Sequence, residues 1–244
     1  MMFERLPWDI RPESWSSRRK FKRCKNAYSG EKAVILCNGP SLLQTDFSSL
    51  KNTYTFGLNK INLIYTQTDF RPNCIVAVNP YVIEQNREYY NETKIALYLD
   101  SCALKYGIKN RENITFFHTT RINRFARDCS MSVNLGGTVT FVAMQIAFHM
   151  GFSRVALIGC DHHFEDNGPP GAVVKSGEVD RNHFSKDYFA SGQQWQLPDL
   201  ARSEESYRLS KRVYEAHNRQ IINATNGGRL EIFDRMSLKE FLSG

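Results

Sequence analysis

Residues 33–42, Ala33-Val34-Ile35-Leu36-Cys37-Asn38-Gly39-Pro40-Ser41-Leu42, pass from an unbroken apolar run into a turn of Asn, Gly, Pro and Ser. A short continuous apolar run rich in Val and Ile predicts a strand covered on both faces, as in the middle of a parallel sheet. Ligands of open α/β sheets bind beyond the carboxyl ends of such strands, so the polar turn is the first place to look for chemistry. Gly39 has no Cβ to keep a ligand away, and Asn38 and Ser41 offer side-chain hydrogen bonds. All four residues are also ordinary turn formers, so a plain strand-to-helix turn stands beside the binding-loop reading.

Three strands in succession end in asparagine. Tyr54 to Leu58 leads to Asn59, and Cys74 to Val78 leads to Asn79. Asn38, Asn59 and Asn79 therefore line one sheet edge, where amides both donate to and accept from a base, ribose or phosphate. Further strands are expected at Lys94 to Leu99, Ile114 to Phe117, Val155 to Ile158, Gln220 to Asn223 and Leu230 to Phe233. Helices are expected after Pro80, over Val139 to Met150, from Ser203 to Asn218 and from Ser237 to Leu242. This alternation predicts an α/β fold, a single doubly wound, Rossmann-like and mostly parallel sheet.

The second informative stretch runs from Asn134 to Asp161. Gly136, Gly137 and Thr138 precede a helix that is apolar nearly all round, so backbone N–H groups at its N-terminus can face an anion such as phosphate. Thr138 is read as the helix cap or as a phosphate ligand. His149, on that helix, is read as packed. The strand after it delivers Asp161, His162 and His163 to the asparagine edge. With Glu165 and Asp166 these are metal-type donors, but adjacent side chains on an extended chain point opposite ways, so no dedicated metal site is expected. A G-x-x-x-x-G-K-[ST] loop, a G-x-G-x-x-G turn and an Asp-x-Asp pair are all missing, which argues against a P-loop kinase and an ordinary dehydrogenase.

Composition sets the outer limits. A chain of 244 residues with 41% hydrophobic and 23% charged residues fits one large globular domain. No apolar run approaches the roughly 20 residues of a membrane span. The six cysteines lie far apart with no C-x-x-C pair, which predicts reduced thiols and a cytoplasmic protein. Residues 1–30 carry eight Lys or Arg against three Asp or Glu, +5 of the net +7, and are read as a basic leader ahead of a catalytic domain over 31–244. The cluster at residues 18–25 suits peripheral contact with an anionic membrane at the inner face, or else a solvated, poorly ordered arm. It lacks the basic and aromatic interleaving of a nucleic-acid surface. Residues 164–202 are polar yet hold His183, Phe184, Tyr188, Phe189 and Trp195, which predicts a mobile lid.

NGPSL after a strand, the Asn-ended strands, VNPYVIEQ and GFSRVALIGCDHHF form an ordered set over residues 31–235. The set resembles the MptE-like 6-hydroxymethylpterin diphosphokinase family and, more distantly, is similar to the small bacterial sialyltransferases. Many MptE-like proteins belong to bacterial surface-glycan and flagellin-glycosylation systems, whereas the archaeal enzymes transfer diphosphate from ATP to a pterin alcohol. The sialyltransferase likeness implies that Asn38, Gly39, Ser41, Asn59 and Asn79, with Pro40 and Asp161, hold a CMP-type nucleotide-sugar donor. It implies that Gly136, Gly137 and Thr138 hold the phosphate, that His183 in the lid is the general base, and that no metal or other cofactor is needed. His163 stands where those transferases have a tyrosine for the leaving phosphate, a departure that bears on the identity of the donor sugar.

The expected function is a glycosyltransferase of bacterial surface polysaccharide assembly, with a glycan or lipid-linked glycan as acceptor. The alternative is an ATP- and Mg2+-dependent diphosphokinase. A nucleotide-binding protein without catalysis is the third.

Overall fold

A computed structural model describes residues 2–165, 168–177 and 179–244. Two helices, α1 (Met2–Asp9) and α2 (Pro12–Cys24), precede five strands: β1 (Lys32–Leu36), β2 (Tyr54–Leu58), β3 (Cys74–Ala77), β4 (Ala96–Asp100) and β5 (Ile114–Phe117). Between β3 and β4 lie α3 (Pro80–Gln85) and α4 (Arg87–Glu92). A short parallel pair, β6 (Thr119–Thr120) and β7 (Val133–Asn134), leads into α5 (Val139–Met150) and β8 (Arg154–Ile158). The hairpin of β9 (Val173–Lys175) and β10 (Gln194–Gln196) is followed by α6 (Leu200–Glu215), β11 (Gln220–Asn223), β12 (Asp234–Arg235) and α7 (Leu238–Ser243).

The main sheet has eight strands in the order β12-β11-β8-β1-β2-β3-β4-β5, all parallel. The chain winds outward from β1 to β5, returns through α5, and winds the other way from β8. This is the expected doubly wound sheet, with its switch point between β1 and β8. Alternate residues of each strand feed two cores. Ala33, Ile35, Phe56 and Val76 pack beneath α5, while Val34, Leu36, Ile75 and Leu97 pack on the opposite face. Burial on both faces explains why β1 reads as a continuous apolar run. Residues 140–150 of α5 are all buried, as its uniformly apolar surface requires.

The leader is a built part of the fold and not a solvated arm. Phe21 of α2 is buried in one core and Trp8 of α1 in the other, so the two helices wrap the outer edge of β5. Ser17 Oγ accepts from the Phe116 N–H (2.9 Å), and Lys20 Nζ donates to the carbonyls of Arg111 (2.9 Å) and Ile114 (2.6 Å). Side chains thus satisfy edge groups that would otherwise template another strand.

Three element boundaries differ from expectation. The helix after Pro80 divides at Asn86, whose backbone leaves the helical region. Helix α6 starts at Leu200 because the Asp199 side chain caps it by accepting from the Arg202 N–H, while Ser203 Oγ donates to the Asp199 carbonyl. Leu230 to Phe233 form no strand; Leu230 and Phe233 are buried anchors. Asn223 Nδ2 takes the Leu230 carbonyl, the Arg235 guanidinium holds the Gly227 and Gly228 carbonyls of the preceding turn, and pairing moves to β12.

Candidate active site at the switch point

The turn after β1 and the turn after β8 are built against each other. Gly39 N donates to the Gly159 carbonyl (2.8 Å), and Asp161 Oδ2 accepts from Ser41 Oγ (2.8 Å) and Ser41 N (3.3 Å). A Cβ at Gly39 would lie 1.9 Å from Asp161 Oδ2, so the close approach that requires glycine here comes from Asp161 and not from a ligand. Asn38 is different. Its side-chain oxygen is buried with no hydrogen-bond partner among the described residues, and so is that of Asn59 at the end of β2. Such orphaned acceptors each cost about 1–3 kcal/mol unless a donor reaches them. Asn59 also has a left-handed backbone (φ 49°), as does His162 (φ 53°), and backbone strain of this kind gathers at functional sites. Asn79 lies one strand further along, and its Oδ1 is committed to capping α3 through the Tyr81 N–H.

The N-terminus of α5 abuts the same edge. Thr138 caps the helix by accepting from the Thr140 N–H, and Thr140 Oγ1 lies 3.6 Å from Cys37 Sγ. Contact with Cys160, followed by burial, pushes the Cys37 thiol well up, so it stays neutral. The Gly136-Gly137 turn is not an open phosphate cradle of the kind expected. A Cβ at Gly136, whose φ is +53°, would meet Ser206, and one at Gly137 would meet the Ser203 amide. These glycines let the first turns of α6 pack against the chain, and the sequence alone has no sign of that long-range contact.

Residues 184–188, within the expected lid, lie across the carboxyl ends of β1 and β2. The Phe184 N–H donates to the Asn38 carbonyl (2.8 Å). Lys60, next to Asn59 and buried, donates through Nζ to the Tyr188 carbonyl (2.7 Å), Gln85 Oε1 (2.7 Å) and Gln193 Oε1 (3.3 Å), with the Phe189 ring 4.8 Å away. Burial lowers the Lys60 pKa to about 8. The sequence reading missed Lys60; the signal was a Lys directly after a strand-ending Asn.

His183 sits inside this covering segment. Its ring stacks on Tyr188 at 4.0 Å between centroids, with Phe189 and Trp195 edge-on. Nδ1 is 2.8 Å from Asp180 Oδ2, a partner the sequence reading also missed, although the D-x-x-H spacing was visible. A carboxylate on Nδ1 selects the tautomer whose Nε2 lone pair can accept a proton. His163 faces a small cavity of about 340 Å³ that Pro40, Asp161, Arg181 and Arg229 also line. Its neighbour His162 turns the other way, to Glu204 Oε1 at 3.2 Å. Phe164, next in the chain, brings its ring within 6.2 Å of the His183 ring.

Among the described residues no three His, Cys, Asp or Glu side chains converge as a metal site. Asp166, one of the donor types noted in the sequence, lies outside the described residues.

The family model described as "6-hydroxymethylpterin diphosphokinase MptE-like" matches residues 13–167, more than half of the chain. The chain belongs to the MptE-like family. No curated protein matches this MptE-like chain by sequence. Its fold is similar to that of the MAf glycosyltransferase from Magnetospirillum magneticum AMB-1, with a TM-score of 0.54 and 12% identity over 92% of this chain. The MptE-like chain spans 38% of that longer protein, and at this identity the likeness shows the fold alone.

Proposed function

We propose that this protein is a glycosyltransferase that moves a sugar from a nucleotide donor, of CMP type, to a hydroxyl of a bacterial surface glycan. The two orphaned side-chain oxygens of Asn38 and Asn59 at the switch point carry the reading. Both are acceptors in want of donors, and a nucleoside supplies them as exocyclic amine and ribose hydroxyls. Pro40, Ser41 and Asp161 shape the wall, Thr138 presents the α5 N-terminus, and the remaining amide of Asn79 extends the edge.

His183, oriented by Asp180, takes the proton from the acceptor hydroxyl through Nε2 as the oxygen attacks the anomeric carbon. The nucleotide phosphate leaves, and His163 with Arg181 and Arg229 meets the charge it carries away. Residues 164–202 act as the lid over the reacting centre. Contact with an anionic membrane face through residues 18–25 would fall to the exposed Arg19, Lys22 and Arg23, because Arg18, Lys20 and Lys25 already have partners within the fold.

The family match favours a second reading, diphosphate transfer from ATP to a pterin-type alcohol. That reaction requires Mg2+, which binds through one or two carboxylates and the substrate phosphates. Asp161 and Glu165 both line the cavity at the switch point; Asp161 Oδ2 accepts from Ser41, and Glu165 lies 3.7 Å from the Arg181 guanidinium. Asp161 and Glu165 would hold such an ion only together with the substrate phosphates, so the metal dependence of nucleotide binding separates the two readings.

Calorimetric titration with CMP, CDP, UDP, GDP, ADP and ATP, each with and without Mg2+, tests the two. Preference for CMP without metal is expected. Magnesium-dependent preference for ATP overturns the glycosyltransferase reading.

A further inference from the structure

A second cleft, of about 910 Å³, opens beyond the carboxyl end of β5, where the chain makes the β6–β7 pair. Arg5, Arg121 and Arg124 line it, together with His118, Ser132 and Phe125. Among the described residues neither Arg121 nor Arg124 has an ion-pair partner, while Asp9, the carboxylate bound to Arg5, is shared with Arg18. The cleft is therefore strongly cationic.

The loop bearing these arginines is held in place. Fully buried Gln145 of α5 accepts from the Ala126 N–H (2.9 Å) and the Asn134 N–H (3.1 Å) and donates to the Asn134 carbonyl (2.7 Å). Phe125 meets Phe141, Phe148 and Tyr214 edge-on. A buried amide thus anchors the arginine loop and the strand that leads directly to Gly136, Gly137 and Thr138. Ser132 Oγ, 3.2 Å from His118 Nδ1, places a hydroxyl beside the guanidinium groups. Guanidinium groups pair bidentately with phosphate as they do with carboxylate, and the larger charge of a phosphate suits a cleft lined by more than one arginine.

We propose that this cleft binds a phosphate group carried by the acceptor substrate. The word acceptor rests on the transferase reading above; the phosphate site does not. Neighbouring strands are ~4.8 Å apart, so four spacings put β5 roughly 19 Å from β1. An extended acceptor can be held here by its phosphate while its hydroxyl reaches the switch point.

The test is a calorimetric titration of the full chain with glucose 1-phosphate, run on wild type and on the Arg121→Gln/Arg124→Gln double variant. Both side chains are exposed, so an unchanged melting temperature is expected and checks folding. The expected result is binding to wild type that weakens as salt is raised and is at least tenfold weaker in the variant. Equal affinity in the two proteins, or no binding to wild type, overturns the proposal. Displacement by an equal concentration of glucuronate overturns phosphate as the recognised group. Because turnover is never read, the result is separate from the nucleotide titration, and either can fail alone.

Discussion

The Asp161 carboxylate accepts from Ser41 Oγ at 2.8 Å, and this bond ties the turns after β8 and β1 together across the switch point. Gly39 leaves the space that the carboxylate fills. In Gly39→Ala the new methyl must displace Asp161 and also crowds the Gly159 carbonyl at 2.7 Å, which removal of Asp161 does not relieve; overpacking of this kind costs about 1–3 kcal/mol. Denaturant unfolding of the single variant and of Gly39→Ala/Asp161→Ala checks the cause. The double variant should cost less than the sum of the two single changes, and simple additivity would exclude the clash.

Asp180 holds the His183 ring by Nδ1 within a stack of aromatic rings. Asp180→Asn should lower turnover by about 10²–10⁴-fold, the range for loss of a positioned general base, with nucleotide affinity preserved. Steady-state rates and a nucleotide titration on the same preparation read the two quantities. Undiminished turnover in Asp180→Asn would remove Asp180 as the positioning residue, and undiminished turnover in His183→Ala would remove His183 from the mechanism.

Lys60 is buried with neutral acceptors around its ammonium group, and burial lowers its pKa from 10.5 to about 8. Between these values the unfolded chain binds the proton and the folded chain does not, so stability rises with pH across that window. Below about 8 the cost of the buried charge is present in full. Unfolding free energies of wild type relative to Lys60→Met should therefore increase from pH 8 to about 10.5. A flat difference would mean that the ammonium group is as well solvated in the fold as outside it.

His149 is buried and held as one neutral tautomer. Its Nδ1 accepts from the Cys129 N–H at 3.2 Å, which leaves Nε2 to donate to the Phe21 carbonyl at 2.8 Å. Burial lowers its pKa below 6.5. The unfolded chain then takes up a proton that the fold refuses, and stability falls as pH drops through 6.5 and below. A His149→Gln variant should show a shallower loss in the same range by thermal unfolding.

Phe21→Ala should cost about 3–5 kcal/mol, since the ring is almost wholly buried between α2, the sheet and α5. Chemical denaturation measures it. A change below 1 kcal/mol would return the leader to the solvated arm expected from its charge.

That charge shows why the packing of the leader was not legible. Eight basic residues in thirty suggest a solvated segment, yet Lys20 spends its charge on carbonyls at the edge of β5. Nothing local encodes a partner about ninety residues away. Asn38 and Asn59 were legible because a polar residue closing an apolar strand stands out within a few positions. The same pattern at Asn79 marks a helix cap, because capping and ligand binding ask for the same side chain. Asp180 and Lys60 were visible as residues and unreadable as roles, since each acts through a neighbour that folding supplies.

The sequence by itself determined the central strands β1–β5, β8 and β11, the apolar α5 and the winding of the sheet, because hydrophobic periodicity and turn chemistry act over a few residues. Only the tertiary structure decided what surrounds each polar group. Asp161 fills the space at Gly39, α6 fills that at Gly136 and Gly137, and the oxygens of Asn38 and Asn59 are left buried and unmatched. Satisfaction of a buried polar atom depends on residues brought together from distant parts of the chain, and no local pattern records it.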